Sequence, residues 1–286
     1  MNVTLNNIEV MMFYIMVAAY FLSAAISWLT LVVKKEWLEH LATGMAFIGL
    51  VGNTVAIVVR TIISQRPPLS NGYEFILTFC WGIVAIYLFA QLRYKVRNLA
   101  NFVMPIPFLL LVFIIMTMGP DERVAAAIPP ALKSYWLTFH VLTAMLSYGA
   151  FAISFGLGLM YLIKAKKEEK FGVESVDKGW TSRFPASQVL DELSYKIIGF
   201  AFPMLTLCII TGAIWANYAW GTYWSWDPKE TWSLITWIIY AAYLHARLMY
   251  GWKGKRAAWL GVIGFIAVLF TFFGVNYFLP GLHSYA

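Results

Sequence analysis

The chain has 286 residues, of which 61% are hydrophobic and only 12% are charged. This share of charge is about half that of soluble domains, and the mean hydropathy of +0.70 excludes an ordinary soluble domain in favour of a chain solvated by a membrane. The formal net charge of +7 would suit an anionic partner, but in a membrane protein it must first be examined loop by loop.

Eight apolar segments follow one another along the chain, each close to the ~20 residues needed to cross ~30 Å of hydrocarbon. The first lacks a basic start and a small-residue cleavage site, so we interpret it as a span rather than a signal peptide. The sequence predicts an all-α polytopic membrane protein with eight transmembrane helices and a single domain over residues 1–286. The segments run approximately over 8–33, 40–63, 72–92, 99–118, 134–163, 196–217, 232–250 and 257–279.

The loops between these segments differ in charge. Loops after the odd-numbered segments carry 14 Lys and Arg, whereas the other loops and the tail together carry 4. Because cytoplasmic loops are enriched in Lys and Arg, we expect the first group inside and both termini outside. The asymmetry accounts for the net charge, so we expect no nucleic-acid partner. The inner group is 34–39, 93–98, the long cytoplasmic loop 164–195, and 251–256; the outer group is 64–71, 119–133 and 218–231.

Tryptophan is concentrated between Trp215 and Trp237, a stretch that holds six of the thirteen tryptophans. Tryptophan is common at membrane interfaces, which is a sufficient explanation for Trp215, Trp232 and Trp237 at helix ends. It does not explain the tryptophans inside the polar loop 218–231, whose flat faces suit a large, planar, hydrophobic ligand. These are Trp220, Trp224 and Trp226.

The same loop ends in Asp-Pro-Lys-Glu, beginning at Asp227. An Asp before Pro228 with Glu230 three residues later is typical of a capping box at a helix start. We therefore expect Asp227 mainly to begin the next helix, with contact to a ligand as the second interpretation.

Four histidines occur in the chain, and their depths differ. His140 lies about one turn inside the outer end of the fifth segment, and His283 lies in the external tail, both at the level of the tryptophan-rich loop. Two imidazoles beside indole rings form a candidate bis-histidine iron site, because imidazole suits iron and axial ligands control haem chemistry.

The other two histidines lie deeper. His245 is 13 residues into the seventh segment, roughly 20 Å below the outer surface. An ionisable group inside a membrane is a functional hypothesis by default, although a membrane histidine is often only a hydrogen-bond partner between helices. His40 begins the second segment at the inner face, and no role is predicted for it.

Together these motifs resemble the CcsA-type (ResC-like) haem-handling proteins of System II cytochrome c maturation. The resemblance spans nearly the whole chain and is densest from Leu190 onward. A weaker likeness to the first outer loop of that family covers Arg60–Glu74, followed by Phe75 where a small polar residue is expected. The motifs are Trp220-Gly-Thr-Tyr-Trp-Ser-Trp-Asp-Pro-Lys-Glu230, Tyr243-Leu-His-Ala-Arg247, Gly274-Val-Asn276 and Gly281-Leu-His-Ser-Tyr285.

The resemblance implies a function in which haem b is received from the cytoplasmic side, moved or presented at the outer face of the inner membrane, and joined to the CXXCH motif of apocytochrome c. The chain would then be half of a cytochrome c synthase. His140 and His283 match the outer haem ligands of the family, and His245 matches its intramembrane ligand. The haem-binding loop 218–231 contributes Trp220, Trp224, Trp226 and Asp227.

The resemblance also implies partners besides apocytochrome c. A CcsB/ResB-like membrane protein supplies another intramembrane histidine. Thioether formation needs reduced thiols. Cys80 and Cys208 lie in separate segments without a CxxC pair, so they are not expected to form a redox-active dithiol. We therefore expect an external thiol reductant protein.

The residues also bear on two other classes of protein. A bis-histidine haem electron carrier of a quinone-linked complex typically has two His on each of two helices, whereas here each His lies on a different segment. A transporter gated by the aromatic loop would need an acidic group deep in the membrane, and Glu74 lies near the outer end of its segment.

Overall fold

The computed structural model describes residues 2–119, 121–123, 132–172, 179–279 and 281. Regular structure within these ranges is entirely helical, which confirms the all-α prediction. A π-helical turn, Phe270–Gly274, joins the last two helices. The helices are α1 Asn2–Val33, α2 Glu36–Ser64, α3 Gly72–Tyr94, α4 Ala100–Val103, α5 Pro105–Thr117, α6 Tyr135–Phe171, α7 Ser187–Trp220, α8 Pro228–Met249, α9 Lys255–Leu269 and α10 Val275–Phe278.

Seven helical segments of the described chain are long and apolar enough to cross a membrane. Two of them are composite: α4 and α5 form Ala100–Thr117, and α9 with the π-helical turn forms Lys255–Gly274. Their number and apolar length are those of an integral membrane protein.

Eight spans are predicted, and seven of them are confirmed as helices apolar enough to cross a membrane. The eighth, α8, is a helix but does not reach that apolar content. This helix has 22 residues, which is long enough to cross at ~1.5 Å per residue. Its composition is more polar than that of the other seven segments, because it carries Lys229, Glu230, His245 and Arg247.

Helix α8 nevertheless extends across the same thickness as its neighbours. At one end Lys229 Nζ donates to Asn276 Oδ1 of α10 at 3.1 Å. In the middle Trp237 Nε1 donates to Thr206 Oγ1 of α7 at 2.9 Å. At the other end Arg247 pairs with Asp191, near the start of α7, at 2.7 Å. Thus α8 runs antiparallel to both α7 and the α9–α10 helix.

The core lies around α6, which packs against α7, α9 and α3. Close approach of α6 to α3 depends on small residues, since a Cβ on Gly149 would lie 3.0 Å from the backbone of Gly82. Deeper in the bundle, the buried rings of Phe151 and Tyr240 stack with centroids 3.6 Å apart. Aromatic stacking of this kind adds to the area that the core buries.

Two loop boundaries differ from those predicted. The segment between the two helices is much shorter than the predicted loop 164–195, because α6 continues to Phe171 and α7 begins at Ser187. The Ser187 hydroxyl and backbone N–H both donate to Glu168, which joins the two helix ends. At the other boundary the last helical residue of α7 is Trp220. The residue after it, Gly221, caps the helix with a φ of +79°, which suits glycine.

Candidate functional site

Two adjoining cavities lie beside the tryptophan-rich loop, enclosed by α3, α6, α7, α8 and the α9–α10 helix. Their empty volumes are about 590 and about 800 Å³, counting space open to the surroundings, which is within the range of ligand pockets. The first reaches toward the loop, and the second reaches toward α3. Six residues line both cavities: His140, Tyr148, Cys208, Trp215, Lys229 and Phe272.

The imidazole of His140 is held in one orientation by α7. Its Nδ1 lies 2.8 Å from the backbone oxygen of Cys208. Because a carbonyl oxygen only accepts hydrogen bonds, Nδ1 carries a proton, and in the neutral imidazole the lone pair is then on Nε2. Fixing one ring nitrogen through a backbone carbonyl is how proteins orient metal-ligating histidines.

Two residues of α7 shape the space around this ring. A Cβ on Gly212 would lie 2.8 Å from His140 Nδ1 and 2.9 Å from its Cε1, so the imidazole occupies the space that a side chain would fill. The buried Trp215 ring lies nearly parallel to the imidazole, with an interplanar angle of 20° and centroids 6.1 Å apart. Contacts within the chain therefore position the histidine.

The three predicted loop tryptophans have different environments. Trp220 is the last residue of α7 rather than a loop residue, and its ring packs edge-on against Trp215 with centroids 4.9 Å apart. Trp224 lines the first cavity. Trp226 packs edge-on against Trp224 at 5.7 Å and is 68% exposed.

Trp226 also has an unusual backbone conformation. Its φ of +59° lies in the left-handed region that bulky residues seldom adopt, and such strain often lies at functional sites. It directly precedes Asp227, which has the predicted capping box: its side chain accepts from the backbone of α8, and Glu230 accepts from the backbone of Asp227. The loop therefore ends at Asp227, where the cap begins α8, directly after the left-handed residue Trp226.

The C-terminal segment approaches this cap. A Cβ on Gly281 would lie 2.4 Å from Asp227 Oδ2 and 3.1 Å from Pro228 Cδ, so glycine permits close packing against the start of α8. His283, two residues further along the sequence, lies outside the described residues.

The π-helical turn and α10 also contribute residues to the cavities. Thr271 in this turn shares a 3.1 Å hydroxyl contact with Thr236 of α8, and Phe272 lines both cavities. Short π-helical turns inside α-helices frequently occur at functional sites. Here the turn joins α9 to the segment that carries Asn276, which lines the second cavity.

Lys229 supplies a cationic group to both cavities. Its side chain is half-buried. Within the described residues no carboxylate oxygen lies within 4.0 Å of its Nζ, whose hydrogen bond goes to Asn276 instead.

His245 is not part of this site. It lies one turn before the far end of α8 and is exposed on the outer surface of the bundle. The ring of Tyr250 packs edge-on against it, with centroids 5.6 Å apart. The fourth histidine, His40, is also exposed, near the start of α2.

Next to the second cavity, a buried ion cluster holds the segment Arg60–Glu74. Glu74 is fully buried and accepts from Arg60 at 3.1 Å and from Arg66 at 2.8 Å. Glu9 of α1 pairs with the same Arg60 at 3.1 Å. Since a buried charge is costly without a partner, this cluster fixes the start of α3, where Phe75 lines the cavity.

Sequence reasoning missed several contributors to this site. Trp215 was explained as an interfacial residue, yet it is 2% exposed and stacks on His140. Cys208, Gly212 and Trp215 recur at spacings of four and three, which places them on one face of α7. That spacing was a usable signal, whereas the contact between Lys229 and Asn276 depends on tertiary packing.

The fold and site define a class of protein: a polytopic helical membrane protein with an aromatic-lined cavity and an oriented histidine at one end. The sequence profile of the family described as "Cytochrome C assembly protein" matches residues 69–283. The chain is also 38% identical to the cytochrome c biogenesis protein CcsA of Guillardia theta, over 98% of this chain and 95% of that protein. For CcsA of Gloeobacter violaceus the identity is 36%, over 94% of this chain and 93% of that one.

The chain therefore belongs to the cytochrome c assembly proteins of the CcsA type. A solved structure of the cytochrome c haem lyase CcmF shares its fold, with a TM-score of 0.67 and 16% identity, over 93% of this chain and 46% of that one. The matching segment is thus about half of that larger protein.

Proposed function

We propose that this chain receives haem b, presents it at the outer face between His140 and His283, and with a CcsB/ResB-like partner joins it to the CXXCH motif of apocytochrome c. The observation that carries the proposal is the oriented imidazole of His140 in the wall of two aromatic-lined cavities. Membership of a cytochrome c assembly family supports it.

The lining residues suit a flat, apolar iron complex. The Nε2 lone pair of His140 can take one axial position of the iron. Trp224 and Phe272 offer aromatic surface in the lining of the first cavity. His283 is proposed as the second axial ligand on the family motif, and the packing of Gly281 against Asp227 supports that assignment.

The reaction adds each cysteine S–H across a haem vinyl group. A sulfur–carbon bond forms, the hydrogen goes to the other vinyl carbon, and no net oxidation occurs. The thiols must be reduced beforehand, and the chain's own Cys80 and Cys208 are both buried on different helices. A separate thiol reductant protein is therefore part of the proposal, and this chain holds and orients the haem.

His245 is proposed as the ligand for haem before it reaches the outer site. Its exposure on α8, about 26 Å along the helix from Pro228 at ~1.5 Å per residue, places it on a surface that a second membrane protein can cover. A histidine of the CcsB/ResB-like partner would complete that site.

The proposed orientation places both termini and the tryptophan-rich loop outside the inner membrane, with α8 as the eighth crossing. An enzyme reporter that is active only outside should function after Ala286 or within residues 120–130, and should be inactive within residues 165–190. The reverse pattern would place the site in the cytoplasm and contradict the proposal.

Haem content tests the function directly. We expect the chain co-purified with its partner to show reduced-minus-oxidised haem b bands, and His140→Gly to remove the outer share of that haem. The exposed Tyr135, one turn earlier on α6, provides a matched control as Tyr135→Ala. Full haem content in His140→Gly, or reconstituted quinol electron transfer through the haem, would contradict the proposal.

A further inference from the structure

The wall shared by the two cavities contains a lysine that packing alone does not explain. Lys229 is the second residue of α8 and lines both cavities together with His140. Its neighbours around the cavities are mainly apolar or aromatic. A lysine here loses hydration, which a structural role would normally offset with a carboxylate.

The nearby carboxylates are committed elsewhere. Asp227 accepts from the backbone N–H of Lys229 at 2.9 Å as the helix cap. Glu230 accepts from the backbone N–H groups of Ser225 at 2.7 Å and Asp227 at 3.2 Å. Among the groups that the structure describes, Lys229 Nζ keeps Asn276 Oδ1 as its partner, at 3.1 Å.

This arrangement is suited to a carboxylate ligand. An ammonium group has three donors, and Asn276 occupies one of them. The amide of Asn276 also carries an NH₂ group beside the same cavity. A carboxylate bound here would gain charge-assisted hydrogen bonds in a mainly apolar setting, where they are stronger than in water.

We propose that Lys229, steadied by Asn276, anchors a carboxylate of the haem that His140 ligates, and so sets how the ring lies in the cavity. The inference rests on the proposed function. Haem b carries its two carboxylates on one edge and its two vinyl groups on the opposite edge. A carboxylate held at Lys229 turns the reactive vinyl edge away from the α8–α10 wall.

The test compares binding of two haems to the purified complex. One is haem b and the other is its dimethyl ester, in which both carboxylates are capped. We expect the native protein to bind haem b about tenfold to a hundredfold more tightly than the ester, the range of one or two hydrogen bonds to a charged group. Mesohaem, which keeps the carboxylates and lacks vinyl groups, should bind like haem b.

Variants then assign the preference to this lysine. Lys229→Met keeps the unbranched chain and should lower affinity for haem b to that of the ester, while leaving the affinity for the ester unchanged. Lys229→Arg should keep most of the preference. Lys133→Met, at an exposed lysine before α6, is the matched control and should behave like the native protein.

Equal affinity of the native protein for haem b and the ester would overturn the anchor, whether or not any variant folds. An unchanged preference in a folded Lys229→Met protein would overturn it as well. If haem b itself showed no absorption spectrum that depends on His140, the proposed function would fail, and the anchor with it. The ester comparison therefore separates the two failures.

Discussion

The two described histidines with proposed roles, His140 and His245, differ in how much of their site this chain provides. His140 is held between the Cys208 carbonyl and the Trp215 ring, in space that Gly212 leaves open. His245 is exposed on α8, with Tyr250 beside it. The proposed outer ligand is oriented within the chain, whereas the proposed inner ligand would need another surface to define its geometry.

The largest effect should come from removing the outer imidazole. His140→Gly should reduce the yield of cytochrome c to background, because one axial ligand is lost, and millimolar imidazole should restore part of it by filling the vacated space. Yield is measured by haem staining of a reporter cytochrome c. A normal yield without imidazole would show that His140 is not an essential ligand.

For the inner histidine we expect an effect that depends on the partner. His245→Gly should lower the haem content of the complex with the CcsB/ResB-like protein severalfold, and change the content of the chain purified alone much less. Both are measured as haem per protein after purification. An equal loss in the two preparations would mean that His245 binds haem without a second surface, which would remove the contrast with His140.

Adding a single methyl group tests whether orientation of the outer ligand matters. Gly212→Ala places a carbon within 3 Å of two His140 ring atoms, so the ring must move and outer haem should fall about tenfold or more, the cost expected for a disturbed ligand support. Gly199→Ala, on the same helix with nothing within 4 Å of the added carbon, is the control. Similar haem content in both variants would contradict a fixed imidazole.

The loop tryptophans should contribute unequally. Trp224→Ala should weaken haem retention by ~1–3 kcal/mol, the usual value of one aromatic stacking contact with a flat ring, because Trp224 lines the cavity. Trp226→Ala should cost less, since that ring is 68% exposed and lies behind Trp224. Competition of bound haem with apomyoglobin gives both values. A larger loss at Trp226 would show that the loop closes differently around haem.

Much of the fold follows from local patterns in the sequence. Apolar length located all eight long helical segments, of which seven are apolar enough to cross a membrane, and Asp227 with Glu230 located the start of α8. The end of α6 and the start of α7 were misplaced because polar and charged residues continue both helices beyond the apolar segments. Composition also could not show how α8, with its charged residues and histidine, packs along α7 and α10.

The site was predicted only in part, for a similar reason. Motifs identified His140 and Trp224, but motifs carry no information about which helices meet. The carbonyl that orients His140 and the amide that contacts Lys229 lie 68 and 47 residues away from them in sequence. Such contacts depend on tertiary packing of the whole bundle.

The hydrogen bond between His140 and Cys208 also bears on chemical self-protection. The proposed reaction joins thiols to haem, and the thiol of Cys208 lines the same cavities, with its Sγ 3.5 Å from His140 Nδ1. That nitrogen already carries a proton for the Cys208 carbonyl, so it cannot take one from the neighbouring thiol. Under the proposed function, the contact that orients the histidine would also deny Cys208 a base, and attack on the vinyl groups would be left to the cysteines of apocytochrome c.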